Sequence, residues 1–346
     1  MLLNRKLRTT HAAKLKRQSA DAPVYIPGGT FLMGSDAHYP EEAPAHKVTV
    51  PSFWMDRTPV TNRQFGAFIR TTGYITTAEK IPDASDYPGA IPNMLFAGSL
   101  VFDPPREPVD LRHSWKWWAY RKGVNWQHPY GPGSSITGRD HYPVVHITFE
   151  DAARYAAWAG KDLPTEAEWE FAARGGLAGA DFAWGSEFAP EGRQMANTWQ
   201  GQFPIQNSRL DGYERTSPVR TYPPNGYGLY DMIGNVWEWT KDYYSARHDP
   251  FGVQSCCSAG KPSSKAVEHS YDPRESAIRI PRKVLKGGSH LCAPNYCRRY
   301  RPAARHPQPV DTSTCHIGFR CIMRERSRDE AKPPFGGLGA IEQHPC

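Results

Sequence analysis

A chain of 346 residues with 42 Lys and Arg against 35 Asp and Glu carries a net charge of +7, but Arg5, Lys6, Arg8, Lys14, Lys16 and Arg17 all precede the first acid, Asp21. Setting those six aside leaves +1, so the basic excess belongs to a leader over 1–21, expected to be disordered, and nucleic acid is not an expected partner. No stretch is apolar for long enough to span a bilayer, residues 1–21 lack the apolar middle region of a secretory signal, and the seven cysteines are odd in number and confined to the last third; the expectation is a cytoplasmic protein with no membrane partner and no disulfide framework.

After the leader, residues 24 to 35 (VYIPGGTFLMGS) and 46 to 56 (HKVTVPSFWMD) alternate in short runs punctuated by Gly and Pro, which predicts strands joined by tight turns. Thr61 and Gln64 form a capping pair ahead of Phe65, Phe68 and Ile69, and Gly73 ends that helix. Between this helix and the next lies an aromatic excursion with Trp115, Trp117, Trp118, Tyr120 and Trp126, read as core and loop packing rather than ligand stacking. A second helix is signalled by Thr148 and Asp151, with Ala152, Tyr155, Ala156 and Ala159 at helical spacing and Gly160 as its stop. Thr165 and Glu168 open a third, which carries Trp169, Ala172 and Ala173 and closes at Gly175-Gly176. The polar segment 247–281, with Cys256 and Cys257, reads as a surface insertion, and 325–346 as a disordered tail containing Cys346. The span 22–324 is expected to be one domain.

The run from Lys286 to Cys321 holds Cys292 and Cys297 five positions apart, behind Gly287-Gly288 and ahead of several arginines. Cationic neighbours favour thiolates. The spacing alone leaves a zinc knuckle, a redox pair, a structural disulfide and two buried free thiols all open.

Taken in order, IPGGTFLMGS, TPVTNRQF, LPTEAEWEFAARGG, PPNGYGLYDMIGNVWEW, VLKGGSHLC and GFRC resemble the formylglycine-generating enzymes, or sulfatase-modifying factors, over residues 22 to 324. The active members look like GGS-x2-C-x4-C-x-RYR-x-AAR, which this chain matches from Gly287 through Cys292 and Cys297 to Arg305. The resemblance implies an α+β fold related to C-type lectins, with a small antiparallel sheet, few helices and much irregular structure. It implies oxidation of a cysteine in a Cys-x-Pro/Ala-x-Arg sequence of an unfolded or nascent sulfatase to Cα-formylglycine, by molecular oxygen with a thiol or other reductant, in a monomeric enzyme.

The implied cofactor is copper(I), for which two soft thiolates are suitable ligands. Cys292 and Cys297 would hold it, with Ser289 as an active-site hydroxyl. Trp237, Tyr296, Arg305 and Ser313 match positions lining the substrate cleft; Arg305 is equally consistent with a structural ion pair. His316 stands where active relatives usually have Asn, which changes the polar contacts around the peptide. Pro302 and Ala173 occupy positions that are cysteines in secretory relatives, leaving Cys321 without that partner. Calcium is also implied, at Asn197, Thr198, Asp211 and Tyr213 and at a second set of Asp231, Gly234, Val236 and Glu238, since oxygen donors suit a hard cation.

Two alternatives keep the same residues. One is a structural zinc site built from Cys292, Cys297 and Cys315 or His316, or a metal-free thiol pair. The other is a non-catalytic lectin-like module that binds a peptide or a sugar.

Overall fold

The computed structural model describes residues 21–248, 264–275, 277 and 279–325. The basic leader to residue 20, Cys256, Cys257 and Cys346 lie outside them. Four strands open the described chain: β1 (Val24–Ile26), β2 (Gly29–Met33), β3 (His46–Val50) and β4 (Phe53–Met55). β2 pairs with β3, and β4 lies between β1 and β11 (Ile322–Arg324). The C-terminal strand is thereby stitched to the first turn of the fold, with Met55 opposite both Val24 and Ile322.

The helices fall where the sequence places them, for the reasons it gives. In α1 (Asn62–Thr72), α2 (Phe149–Trp158) and α3 (Glu166–Arg174) the Thr61–Gln64, Thr148–Asp151 and Thr165–Glu168 capping boxes are all formed, each contributing about 1 kcal/mol by satisfying otherwise unpaired backbone donors. Gly73 and Gly175 end α1 and α3 in the left-handed conformation. A fourth helix, α4 (Ser264–His269), lies inside the segment read as an aperiodic insertion.

The aromatic excursion contains a hairpin that the sequence analysis did not anticipate. Gly98–Phe102 (β5) pairs antiparallel with Trp118–Lys122 (β6), and Trp117 just before β6 is buried against Phe102 and Phe203. The packing assignment holds for Trp117 and Trp126, whereas Trp115 is exposed.

The sheet that matters for the site has the order β10-β7-β8-β9, from β7 (Trp237–Tyr243), β8 (Arg282–Lys286), β9 (Arg305–Pro309) and β10 (Ile317–Gly318). β10 runs parallel to β7 and the other pairs are antiparallel. The small sheet expected is thus one of four among the described residues, embedded in largely irregular chain. Its register aligns Ile317 with Trp237, Glu238 with Lys286, and Lys286 with Arg305. Residues far apart in sequence therefore meet at one end of the sheet.

Three apolar clusters fill the interior. The largest joins Phe65, Phe68 and Tyr155 of α1 and α2 to Trp237, Trp239, Phe319 and Cys292. A second packs Trp169 of α3 against β1 and β4, and a third gathers Phe102, Trp117, Trp199, Phe203, Leu291 and Cys315. Each fully buried large side chain stabilises the fold by about 1.5–3 kcal/mol.

Candidate active site

β8 delivers the chain into the site. Its five residues are all buried, including Lys286, whose ammonium is held by Glu170 at 3.0 Å and Glu166 at 3.5 Å from α3. The turn after it requires glycine at both positions. Gly287 and Gly288 have φ of +92° and +73°, and a Cβ on Gly287 would lie 2.8 Å from the Met232 carbonyl and 3.0 Å from the Trp169 ring.

The thiol loop then folds on itself. Ser289 offers its backbone N–H to Cys292 Sγ at 3.4 Å and its carbonyl to Cys292 N–H at 2.9 Å, and Ala293 accepts from Cys297 N–H at 2.9 Å. The two sulfurs end 3.0 Å apart, unbridged. Cys292 is buried, while Cys297 is half-buried. Burial pushes the Cys292 thiol well up, and Cys297 is brought down because Cys292 donates to it, aided by the nearby Arg299 guanidinium. Of the two, Cys297 is the more acidic.

Its surroundings hold that arrangement. Asn295 clasps the backbone of Phe203, donating to its carbonyl at 3.3 Å and accepting from its N–H at 3.4 Å. Tyr296 stacks flat on Phe203 at 4.5 Å and meets Trp117 edge-on at 5.3 Å, yet remains 37% exposed. The Trp199 backbone N–H donates to the Cys292 carbonyl at 3.0 Å. Arg299 lies 3.9 Å over the Tyr39 ring and is paired with Glu41, while Arg301 is paired, buried, with Glu42. Tyr39, Glu41, Glu42, Asn295 and Phe203 carry no motif of their own in the sequence; the adjacent acids Glu41 and Glu42 and the arginine-rich run at 298–301 were the available signal.

The other expected site residues divide. Ser289 is fully buried beside Cys292, its hydroxyl accepting from Leu291 N–H at 3.2 Å. Trp237 is buried in the same apolar cluster as Cys292, stacked on His306, and donates its backbone N–H to the His316 carbonyl at 2.8 Å. His316 packs on Trp118 at 4.9 Å with its Nδ1 against Thr314, and burial drives its pKa far down. Ser313 is nearly buried against Ser99. Arg305 is a correction to the cleft assignment: it is 2% exposed, ion-paired with Glu166 at 2.8 Å, and donates to the carbonyls of Glu41 and Ser245. Of the two uses weighed for it, the buried ion pair is the one this geometry supplies.

The donor sets fit the implied metals unequally. The thiol pair suits a soft monovalent ion: two sulfurs converge, one reachable from outside. Around Asp211, the Thr198 carbonyl and hydroxyl and Asp211 Oδ2 all converge on Gln200 Nε2, at 2.5, 3.1 and 3.0 Å. That oxygen cradle around a positive dipole suits a hard cation. Asn197 and Tyr213 flank it, Asn197 donating to the Arg215 carbonyl and Tyr213 N–H to Asp211. The second set is engaged differently. Both oxygens of Glu238 are taken by Arg320, at 2.6 and 2.8 Å, and Trp169 Nε1 adds a bond at 2.7 Å. The guanidinium already supplies the positive charge. Asp231, beside it, accepts from Arg220 N–H, and burial lifts it to about 6; Gly234 and Val236 complete this turn without assembling a cage.

Among the described residues no group of three or more His, Cys, Asp or Glu is arranged to hold a metal ion, and Cys315 is occupied by the N–H of Phe102 at 3.3 Å. No helix among the described residues is long and apolar enough to cross a membrane.

Comparison with known proteins agrees with this geometry. Residues 8–325 match the sulfatase-modifying factor enzyme 1-like domain. The chain is 52% identical over 301 residues to a formylglycine-generating enzyme of Mycobacterium tuberculosis, covering 86% of this chain and 96% of that one. It is 44% identical over 312 residues to an inactive Cα-formylglycine-generating enzyme 2 of Mus musculus, covering 87% and 85%. Among solved structures it resembles PvdO from Pseudomonas aeruginosa at 25% identity and a TM-score of 0.57, over 88% of this chain and 94% of that one. The chain belongs to the formylglycine-generating enzyme family.

Proposed function

We propose that this protein oxidises a cysteine within a Cys-x-Pro/Ala-x-Arg segment of a sulfatase to Cα-formylglycine, with copper(I) held by Cys292 and Cys297. The observation that carries the proposal is the thiol pair itself, with its sulfurs 3.0 Å apart and one of them reachable beside an exposed tyrosine. An inactive relative stands in the same family, so membership alone does not carry the activity.

Copper(I), when bound, supplies the electrons by which oxygen is activated for removal of hydrogen from the substrate Cβ. The overall change is balanced as a substrate thiol on Cβ plus molecular oxygen plus two reductant thiols giving the aldehyde, hydrogen sulfide, one reductant disulfide and water. Oxygen takes up four electrons, two from the substrate carbon and two from the reductant thiols.

The chain's own residues prepare the site. Arg299, fixed by Glu41 and Tyr39, favours the thiolate at Cys297. The Asn295–Phe203 clasp and the Trp199 contact hold the loop so that the two sulfurs stay converged. Tyr296 presents an open ring face beside Cys297, where a proline or alanine of the peptide can pack. Ser289 lies behind Cys292, and Ser313 and His316 supply polar groups on the segment that leads into β10. Thr198 and Asp211, with Asn197 and Tyr213, would hold calcium as a brace for the Trp199 segment. The client is a nascent or unfolded sulfatase, met by a monomeric enzyme in the cytoplasm.

The test is mass spectrometry of a Cys-x-Pro-x-Arg peptide incubated with oxygen, a thiol reductant and the copper(I)-loaded protein, beside metal-free and Cys292→Ser controls. Conversion of the cysteine thiol to the aldehyde only with the loaded wild type is the expected result. An unchanged peptide with zinc tightly bound would overturn the proposal in favour of a binding module.

A further inference from the structure

His146 has no part in the chemistry above, yet it is completely buried and sits at φ +62°, where a residue with a side chain is strained. Its ring is hydrogen-bonded on both sides. Nε2 lies 2.9 Å from the Pro129 carbonyl and Nδ1 lies 2.8 Å from Ser99 Oγ. A carbonyl can only accept, so Nε2 carries a proton. Burial beside two uncharged partners keeps the ring neutral, with its pKa pushed down to about 4. Nδ1 is then a lone pair facing Ser99.

Ser99 Oγ has one proton and three neighbours: His146 Nδ1, the Ser313 carbonyl at 2.7 Å and Ser313 Oγ at 2.7 Å. The first two are pure acceptors. Whichever of them takes the Ser99 proton, the Ser313 hydroxyl must be the donor in its contact with Ser99. Its proton is then turned towards Ser99, and lone pairs are what the Ser313 hydroxyl has left to offer.

We propose that Ser99, oriented by His146, fixes Ser313 as a hydrogen-bond acceptor for a backbone N–H of the substrate peptide. Ser99 and His146 are thus positioning residues acting through Ser313. An acceptor of fixed polarity admits a peptide N–H and leaves a facing carbonyl unpaired, which selects the register of an extended segment. This rests on the reading of Ser313 as part of the peptide cleft.

Two measurements on the full chain test it. Nitrogen-15 NMR of His146 is expected to find the neutral Nε2–H tautomer; a protonated Nδ1 would overturn the relay whether or not the protein is active. In steady-state assays of the copper(I)-loaded protein on the peptide, Ser313→Ala is expected to raise KM about tenfold with kcat within about twofold. Ser99→Ala should raise KM in part, and Ser99→Ala with Ser313→Ala should match Ser313→Ala alone, because the first acts through the second. Additive losses, an unchanged KM in either single variant, or equal falls in kcat would overturn the proposal. Absence of wild-type turnover would instead retire the functional reading, while the tautomer still decides the relay.

Discussion

Cys292 and Cys297 on one side, and Cys315 and Cys321 on the other, are four unbridged cysteines within thirty residues of one another, yet their surroundings differ: the first two have their sulfurs in contact. Cys315 and Cys321 are each buried among apolar neighbours, and burial pushes both thiols up, Cys315 to about 11. Cys297 has a sulfur at 3.0 Å and a guanidinium nearby, and its thiol comes down. A thiol becomes a nucleophile or a soft ligand through its neighbours and its exposure, not through its burial or its place in a motif.

The sharpest way to break this comparison is to remove one member of the reactive pair. Cys297→Ser is expected to abolish copper-dependent conversion of the peptide, read by mass spectrometry, and retention of the normal rate would exclude the site. Alkylation should separate the two pairs without any assay of turnover. In the folded chain Cys297 should react with iodoacetamide about a hundredfold faster than Cys315 or Cys321 at neutral pH, by peptide mapping; equal rates would erase the distinction.

The burial that silences Cys315 and Cys321 also keeps His146 and His290 neutral, each pushed down to about 4 by desolvation. A depressed basic group leaves the folded state with fewer protons than the unfolded chain. Stability is therefore fully present above the unfolded value of 6.5 and is lost as pH falls towards 4, by up to about 1.4 kcal/mol per pH unit for each ring. Urea midpoints at pH 7, 6 and 5 check the sign; a constant midpoint would contradict it. Cys321→Ala should cost about 1–2 kcal/mol, the packing loss of a small buried side chain, with no dependence on reductant. A large reductant-sensitive loss would mean a bridge. The smallest effect expected is that of Arg299→Gln, which should slow Cys297 alkylation about three- to tenfold at neutral pH by letting its pKa rise, leaving Cys315 unaffected.

Local signals were the legible part of this chain. Three capping boxes, their glycine stops and the first four strands could be placed because each depends on residues within a few positions of one another. The β5–β6 hairpin was hidden because its strands are separated by an irregular, proline-rich stretch and carry no turn signature. α4 was hidden within a polar segment that has no apolar stripe.

For the site, the motif located the thiols, and the sequence could say that two soft donors stood near arginines. It could not say which arginine mattered. Arg299, Arg301 and Arg305 look alike in the string, but Arg299 remains beside Cys297 while the other two are buried on Glu42 and Glu166. The two oxygen-rich sets were equally indistinct in sequence. Thr198 and Asp211 converge on a neutral amide, whereas Glu238 is neutralised by Arg320 from a strand connection more than eighty residues away.

By itself, then, the sequence determined the residue types available for chemistry, the helix ends and the family resemblance, all of which are written in short windows. The tertiary structure decided which thiols touch, which carboxylates are already paired, and which polar groups meet around Ser99. Those are properties of contacts between distant segments, where burial and the nearest opposite charge set the protonation state, and no local pattern in the chain encodes them.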